Sequence, residues 1–391
     1  MSTGSNKQWE AITLSSICST AKNIKWNEER DDREYRYIDL TSVDRVSHTI
    51  VSPQVINKSN APSRAQKIVV TNDVLFATTR PTLRRYCLIG SDFNNQICST
   101  GYCVIRPNQT RILPSWIYYL LTSDAFYNYI EPLQTGATYP AVTDKDVLKY
   151  AVPLPSLSEQ QRIVGILDAE FEKIDALKAN AEKNLQNAKD LFQSALKKEL
   201  EPKQGWETST FSDVVDVING RAYSKEELLS KGKYRVLRVG NFFTNDSWYY
   251  SDLELEEDKY CEKGDLLYAW SASFGPRIWD GEKVIYHYHI WKMLPSSSLD
   301  KYYLLYWLQS TYLTSQVMSN LHGTTMNHIT KGIMEATTIK YPSCTLQQSI
   351  VSTLNELGMK CQLLQDNYTQ TIALCDDLKQ ALLRKAFNGE L

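Results

Sequence analysis

The 391-residue sequence lacks any long apolar run, and no stretch approaches the roughly 18 residues that a membrane-spanning helix needs. Its first residues, MSTGSNKQWEAITLSS, also lack the apolar core of a secretion signal. From these two absences we expect a cytoplasmic protein without a membrane partner.

Paired cysteines and an excess of charge are missing as well. None of the eight cysteines forms a C-x-x-C pair, the spacing that zinc and redox sites commonly use, so we expect reduced and mostly buried thiols. The formal net charge is only -2. Because net charge averages over all faces of a protein, this value neither supports nor excludes binding to DNA.

Motifs of catalysis are absent too. The sequence has no G-x-x-x-x-G-K-[ST] phosphate loop, no G-x-S-x-G elbow, no H-E-x-x-H zinc helix and no Asp/Asn-Pro-Pro turn of a DNA amino-methyltransferase. His287 and His289 would share one face of a strand and could bind a metal, but no third ligand has a suitable spacing. We therefore favour a structural histidine pair and predict no catalytic residue and no metal site.

What the sequence does contain is an internal repeat. LPSLSEQQRIVGIL begins at Leu154 and YPSCTLQQSIVSTL at Tyr341, an offset of 187 residues that holds for more than forty positions. Upstream, NDVLFA at Asn72 resembles GDLLYA at Gly264. The chain is therefore two copies of one unit, each with a variable block followed by a better-matched one.

Each better-matched block predicts a long helix. Apolar residues recur every seven positions, which is typical of a seam for a partner helix. A helix of roughly 43 residues, about 65 Å long, is too long for one small domain to cover, so we expect the two seams to pack on each other rather than each on its own domain. The seam positions are Leu167, Ile174, Ala181, Ala188 and Ala195 in the first copy and Leu354, Cys361, Tyr368, Cys375 and Leu382 in the second. An adjoining stripe contains Leu177, Leu191, Leu357, Leu364, Thr371 and Leu378.

The starts of these helices are marked by hydroxyl residues followed three positions later by glutamine. Ser158 with Gln161, and Thr345 with Gln348, have the spacing of a capping box. This pattern predicts that Ser158 and Thr345 are the N-cap residues.

The variable blocks are predicted to be mixed α/β units. Runs such as KIVVTNDVLFA at Lys67 and YRVLRVGNF at Tyr234 are rich in β-branched and aromatic residues, which favours strands. The predicted domains are residues 1–153 and 203–340, and the predicted helical regions are residues 154–202 and 341–391. The fold class is α+β.

Two matched turns contain basic, hydroxyl and aromatic residues: ATTRPTLRRY at Ala77 and AWSASFGPRIW at Ala269. Arginine can bind phosphate or a guanine edge, hydroxyls bind phosphates or bases, and aromatic rings stack. A solvated turn is the alternative, and the matching positions in both copies favour a DNA-binding surface. The candidates are Thr78, Thr79, Arg80, Arg84 and Arg85 in the first copy and Trp270, Ser271, Ser273 and Arg277 in the second.

A second pair of matched loops, TGATYPAVTD at Thr135 and HGTTMNHITK at His322, combines glycine with hydroxyl residues. The hydroxyls could meet a phosphate or cap the local backbone, and the sequence leaves both interpretations open. The DNA-binding candidates here are Thr138, Tyr139, Thr324, Thr325 and Asn327.

These segments together resemble a known family. GTTMNHITKGIM, GDLLYAWSASFGPRIWDGEKVIYHYHIW and DVLFATTRPTLRRY, followed by PSLSEQQRIV-like text and a long helix, are similar to the specificity (S) subunit of Type I restriction-modification systems. The resemblance covers essentially the whole chain. This sequence departs from the family pattern at Asn327, a position where proline is frequent in the family. The first copy keeps a proline nearby, at Pro140.

The resemblance implies two target recognition domains in a pseudo-twofold repeat, separated by two long helices that form an antiparallel coiled coil. Each domain would read one half of a bipartite double-stranded DNA target, while the helices set the spacer and dock two modification (methyltransferase) subunits. The chain would be non-catalytic, because methylation with S-adenosylmethionine and cleavage with ATP and Mg belong to the modification and restriction subunits.

Other functions remain as alternatives. One is the recognition subunit of a related system whose partner is a fused methylase-nuclease, and another is a coiled-coil scaffold whose variable blocks bind protein instead of DNA. A stand-alone DNA methyltransferase or nuclease is disfavoured by the missing motifs.

Overall fold

The computed structural model describes residues 9–271, 273–319 and 329–391. The chain divides into two compact units, the first comprising Met1–Ala181 with Gln370–Leu391 and the second Glu182–Thr369. Each unit contains one variable block and a part of both long helices. The four predicted domain ranges stay predictions, because the two units divide the helices instead of separating them from the blocks.

The first unit is a mixed α/β structure. Its strands are β1 Ala11–Thr13, β2 Cys18–Ser19, β3 Tyr35–Ile38, β4 Gln54–Ile56, β5 Ala65–Val69, β6 Val74–Ala77, β7 Tyr86–Leu88, β8 Gln96–Ser99, β9 Tyr102–Pro107 and β10 Ala151–Pro153. Its helices are α1 Pro114–Thr122, α2 Asp124–Ile130 and α3 Asp144–Leu148, followed by the long helix α4 Leu157–Glu199. Within residues 9–181 and 370–391, the sheets have the orders β2-β9-β6-β7, β4-β3-β8-β5 and β1-β10.

The second unit repeats this architecture. Its strands are β11 Glu207–Thr210, β12 Val215–Asn219, β13 Tyr234–Leu237, β14 Tyr249–Ser251, β15 Tyr260–Cys261, β16 Leu266–Ser271, β17 Ser273–Ile278, β18 Val284–Tyr286, β19 Ile290–Pro295 and β20 Thr338–Tyr341. Its helices are α5 Phe211–Val214, α6 Val239–Phe243, α7 Lys301–Gln309, α8 Thr311–Ser319 and α9 Lys331–Glu335, followed by the long helix α10 Cys344–Phe387. In the described part of this unit, the orders β12-β19-β16-β17, β14-β13-β18-β15 and β11-β20 reproduce those of the first unit strand for strand.

Each unit has its main core between a sheet, the short helices and the long helices. In the first unit, Phe76 of β6 and Trp116 of α1 are buried together with Leu167 of α4 and Leu383 of α10. In the second unit, Trp291 of β19 and Tyr303 of α7 are buried with other residues of the same cluster, which includes Leu196 and Leu354 from the long helices. The long helices therefore belong to the cores of the units and are not merely connections.

A buried glutamine attaches each long helix to its own block. Gln160 accepts a hydrogen bond from the Leu113 backbone N–H at 2.9 Å and donates to the carbonyl oxygens of Arg111 at 3.0 Å and Pro155 at 2.9 Å. Gln347 makes the same three contacts, with the N–H of Asp300 and the carbonyls of Ser298 and Pro342. Because a buried amide must satisfy its polar atoms, these contacts explain why both copies of the repeated phrase contain glutamine at this position.

The predicted N-caps are wrong by two residues. Helix α4 begins at Leu157 and α10 at Cys344, so Ser158 and Thr345 lie inside the first turn. The carbonyl of Ser156 accepts the first helical hydrogen bond from Gln160 N–H, and its Oγ accepts from Glu159 N–H at 3.3 Å. Ser156 is a second hydroxyl residue, two positions upstream of Ser158, and it can also cap a helix. The hydrogen bond from the Gln160 side chain to the Pro155 carbonyl favours the helix start at Leu157, which makes Ser156 the cap.

The two long helices pack on each other in opposite directions. In the first unit, Asp175 pairs with Lys379 and Lys178 pairs with Asp376, so a higher number on α4 meets a lower number on α10. In the second unit, Gly358 of α10 lies against the Phe192 ring of α4. These contacts confirm the α+β fold with an antiparallel coiled coil.

Most of the predicted seam positions face the interior. Leu167, Ile174, Ala181, Ala188, Leu354, Cys361 and Cys375 are buried, whereas Ala195, Tyr368 and Leu382 are half-buried. Near the end of α10 the adjacent Leu383 is fully buried. The adjoining stripe behaves differently, because Leu177, Leu191, Leu364 and Leu378 are exposed.

Candidate nucleic-acid interface

Two of the predicted loops of the first unit lie side by side. The Arg80 backbone N–H donates to the Pro140 carbonyl at 2.7 Å, and the Val142 N–H donates to the Thr78 carbonyl at 2.9 Å. Thr79 also forms a β-bridge with Ala141. The turn after β6 and the loop before α3 therefore form one continuous surface, although about sixty residues of sequence separate them.

Arg80, Thr138 and Tyr139 form an exposed basic and aromatic patch on this surface. Arg80 has a left-handed backbone with φ of 50°, and its guanidinium carbon lies 4.7 Å from the centre of the Tyr139 ring. Its Nη2 is 3.4 Å from the Thr138 carbonyl oxygen. Tyr139 is 66% exposed, and Thr138 is exposed beside it. This arrangement places a positive charge and a stacking surface in solvent, which suits a phosphate and an aromatic base.

The neighbouring candidates are held within the fold. Thr78 is buried and its hydroxyl donates to the Gly101 carbonyl at 3.0 Å. Arg84 donates through Nη2 to Asp124 Oδ1 at 2.6 Å and lies 4.2 Å from the Tyr127 ring centre. Both side chains therefore make structural contacts in this unit.

The other two candidates of this turn are half-buried. Thr79 contributes its backbone to the bridge with the second loop, and Arg85 accepts a hydrogen bond from Ala77 through its carbonyl oxygen. Among the residues that the structure describes, the buried Nε of Arg85 has no hydrogen-bond partner.

In the second unit, the corresponding turn is the hairpin of β16 and β17. Ser271 and Ser273 face each other at its tip, Ser273 being exposed. Trp270 precedes the tip and donates through Nε1 to the Tyr288 carbonyl at 2.7 Å, while its ring stacks on Trp291 at 5.6 Å. The Ile329 N–H donates to the Trp270 carbonyl, as Val142 does to Thr78 in the first unit.

Arg277 stands on the second strand of this hairpin. Its Nη1 donates to the Phe242 carbonyl at 2.9 Å and its Nη2 to Asp280 Oδ1 at 3.2 Å, so it holds β17 against α6. The remaining candidates, Thr324, Thr325 and Asn327, lie outside the described residues.

The two histidines form a close pair of rings in the second unit. The ring centres of His287 and His289 are 4.8 Å apart. Burial lowers the pKa of His287 to about 4, with smaller contributions from His289 and Arg238, and it also lowers the pKa of His289. Both imidazoles are therefore uncharged near neutral pH. Across the described ranges, no group of three or more histidine, cysteine or acidic side chains is placed to hold a metal ion.

Sequence reasoning missed a cavity next to this pair. It has a volume of about 260 Å³, and its wall includes Arg238, Asn241, Tyr249, His287 and His289. YRVLRVGNF indicated a strand here but gave no reason to select Arg238. The pairing of Leu237 with Tyr286 in the sheet brings Arg238 next to the histidines, and the sequence alone does not show this proximity.

The repeated strand orders and the antiparallel helix pair define a duplicated scaffold, and its first unit presents the exposed patch of Arg80 and Tyr139. The family model for the Type I restriction modification DNA specificity domain matches the chain twice, at residues 6–187 and 203–373. The chain belongs to this family, which confirms the predicted recognition of a Type I specificity subunit. In the described part of the chain, no helix has the length and apolar character to cross a bilayer.

Known specificity subunits are similar to this chain in sequence, and solved structures are similar to it in fold. The chain is 24% identical over 402 residues to the Type I restriction enzyme MjaIX specificity subunit of Methanocaldococcus jannaschii, covering 94% of this chain and 87% of that one. It is 27% identical to the HindI specificity subunit of Haemophilus influenzae over 138 residues, which span 35% of this chain and 30% of that subunit. A structure from a study of complex assembly and conformational transition of the type I R-M system has a TM-score of 0.87 at 28% identity, covering 98% of this chain and 99% of that chain. The HsdS subunit from Thermoanaerobacter tengcongensis has a TM-score of 0.62 at 28% identity, with 98% of both chains covered.

Proposed function

We propose that each unit of this specificity subunit reads one half of a split double-stranded DNA target. The observation that carries the proposal is the combination of a repeated scaffold with different surface chemistry. At the end of β6 the first unit has Thr78 and the exposed Arg80 with Tyr139. At the equivalent place in β16 the second unit has Trp270 and a serine-rich hairpin tip. A shared scaffold with unlike loops is suited to reading two different sequences.

The long helices supply a surface for two copies of one partner. Leu177 and Leu364 occupy equivalent positions in the repeat, as do Leu191 and Leu378, and all four are exposed. Leucines at matched, solvent-facing positions of both helices favour the docking of identical apolar partner surfaces. The partners in this proposal are two modification subunits, with restriction subunits joining the assembly.

Methylation and cleavage are assigned to those partners in the proposal. S-adenosylmethionine would bind to the modification subunits, and ATP with Mg to the restriction subunits, while this chain contributes target recognition without catalysis. The complex would act in the cytoplasm. The length of α4 and α10 would set the number of unread base pairs between the half-sites.

Sequencing of methylated sites in cells that contain the complete system tests the function. The expected result is one split motif, and exchange of residues 1–153 for the equivalent block of another family member should replace only one of its halves. DNA binding by the complex with its modification subunits should weaken steeply with rising salt. A complex without salt-dependent DNA affinity would favour the protein-binding scaffold instead.

A further inference from the structure

We propose that the cavity of the second unit reads a guanine of its half-site, with Arg238 as the specificity-determining residue and His287 and His289 forming the adjacent wall. This inference rests on the proposed DNA-reading function and deepens it. It assigns a ligand class, a guanine base edge, to a site outside the loops that the sequence singled out.

The first observation is the state of the Arg238 side chain. In the described part of the second unit, Arg221, Arg235 and Arg277 each pair with a carboxylate. Among the residues that the structure describes, the Arg238 side chain makes no ion pair and no hydrogen bond, and its guanidinium carbon lies 5.2 Å from the Tyr249 ring centre. The guanidinium is half-buried on the cavity wall, so its five donors are available to a ligand that enters the cavity.

The second observation concerns the part of the cavity wall that follows Arg238 in the sequence. Asn241 donates both amide hydrogens to backbone carbonyls, those of Asn245 at 2.9 Å and Ser247 at 2.7 Å. These hydrogen bonds fix the segment from Asn241 to Ser247, which forms part of the cavity wall. A preformed polar cavity loses less conformational entropy when it binds a ligand.

The third observation comes from the strand register. Leu237 pairs with Tyr286 in the second unit as Ile38 pairs with Cys98 in the first. The next residues are therefore equivalent, Arg238 to Asp39 and His287 to Ser99.

In the first unit an acidic turn occupies this place. The Asp39 carboxylate accepts hydrogen bonds from the backbone and hydroxyl groups of Thr41 and Ser42, at 2.8 to 2.9 Å. The Leu40 side chain lies 3.2 Å from where a Cβ of Gly101 would be, and Gly101 is the counterpart of His289. The same point of a repeated scaffold thus holds a satisfied acidic turn in one unit and an open basic cavity in the other, the difference expected where two recognition domains read different bases.

The cavity also adjoins the hairpin that was predicted to contact DNA. The His289 ring meets the Trp270 ring edge to face, with the ring centres 5.0 Å apart. Because both histidines are uncharged near neutral pH, they add donors and acceptors without repelling the arginine or attracting phosphate by charge. Arginine binds the O6 and N7 atoms of guanine through two parallel hydrogen bonds, and it is the commonest residue for this base.

The test uses the complete complex with its modification subunits and compares Arg238→Ala and Arg238→Lys with Arg235→Ala. Arg235 lies three residues before Arg238, on β13, and pairs with Glu282, so it controls for the loss of one positive charge. Exchange of residues 203–340 for another family block first identifies which half of the methylated motif the second unit reads.

Both Arg238 variants should relax one guanine position in that half and leave the other half unchanged. Affinity for the original target should fall roughly 5- to 150-fold, with little change on DNA in which that guanine is replaced. Arg238→Lys keeps the charge but loses the planar fork that makes two parallel hydrogen bonds to guanine. A complex with this variant that still methylates DNA, but at a relaxed motif, is folded and has lost only the reading of the base. Arg235→Ala should retain the full motif.

Retention of every guanine in both variants would overturn the inference. A uniform loss of affinity, with a salt dependence reduced by about one charge in Arg238→Ala alone, would then mean that Arg238 binds a phosphate. Failure of the unaltered complex to methylate any split motif would overturn the proposed function itself, so the two failures are distinguishable.

Discussion

Lys178 of α4 and Asp376 of α10 form an ion pair between the two long helices of the first unit, with Nζ 2.7 Å from Oδ1. One turn earlier on α4, Asp175 pairs with Lys379 of α10, so the charges alternate along the helix pair. This crossed arrangement matches opposite charges only when the helices run antiparallel and in the observed register. The two pairs therefore support specificity of register as well as stability.

Lys178→Glu should destabilise the protein by about 0.5–1 kcal/mol, because the new carboxylate faces Asp376 at a largely solvated site. The double variant Lys178→Glu with Asp376→Lys should recover most of that loss, as measured by urea unfolding. Lys173→Glu is the matched control, since in the described part of the chain Lys173 pairs with Glu170 of the same helix and with no residue of α10. Additive effects of the two substitutions would show that the pair does not couple the helices.

Gln160→Ala should destabilise the first unit by about 1–3 kcal/mol, because it leaves the half-buried Leu113 N–H and two carbonyl oxygens without their partner. Gln347→Ala should have a similar effect on the second unit. Gln161→Ala is the control, since Gln161 is exposed and lies outside the observed cap. Chemical unfolding monitored by circular dichroism makes the comparison, and an equal loss for Gln161→Ala would restore the capping-box interpretation.

Leu177→Glu combined with Leu364→Glu should weaken association with the modification subunits at least about tenfold, because each substitution places a charge in a proposed apolar interface. Both leucines are exposed in this chain, so the free energy of unfolding should change by less than about 0.5 kcal/mol. Titration calorimetry with the purified partner measures the affinity, and Lys183→Glu, at an exposed polar position of α4, controls for added negative charge. Unchanged affinity in the double variant would place the docking surface elsewhere.

His48 should titrate far below an ordinary histidine. Its ring stacks on Tyr86 at a centre distance of 3.9 Å, and burial lowers its pKa to about 4, although Asp44 opposes this shift. Because the unfolded pKa is about 6.5, the unfolded chain binds more protons between these values. Its contribution to stability is therefore fully present above pH 6.5 and is lost as the pH falls towards 4.

NMR titration of the His48 ring signals, assigned with a His48→Asn variant, measures this pKa directly. Urea unfolding at pH 7 and pH 5 should show a smaller decrease in stability for the variant than for the unaltered chain. A His48 midpoint near 6.5 would contradict the stacked, desolvated arrangement.

The sequence was sufficient to predict the repeat, the α+β class and the two long helices, because periodic patterns report on secondary structure directly. It misplaced the helix starts, since Ser156 and Ser158 are both plausible caps and only the contacts of Gln160 with Pro155 select between them. The adjoining leucine stripe was also visible in the sequence, but its exposure depends on which face the partner helix covers.

The candidate site was less predictable, because its geometry depends on contacts between distant segments. Nothing local indicates that Arg84 would pair with Asp124 or that Arg80 would lie over Tyr139. Arg238 became a candidate only through the strand register that relates it to Asp39. Residue type identified basic loops, whereas the choice among their arginines required the tertiary structure.

The proposed role of the helix pair as a spacer is tested most directly by lengthening it and sequencing the methylated sites. Insertion of one heptad into both α4 and α10, at the level of Lys178 and Asp376, preserves the seam and adds about 10 Å of helix. The predicted result is a motif with both half-sites unchanged and an unread spacer longer by about three base pairs, at 3.4 Å each. A methylated motif with its original spacer would contradict the proposal that helix length sets the distance between the half-sites.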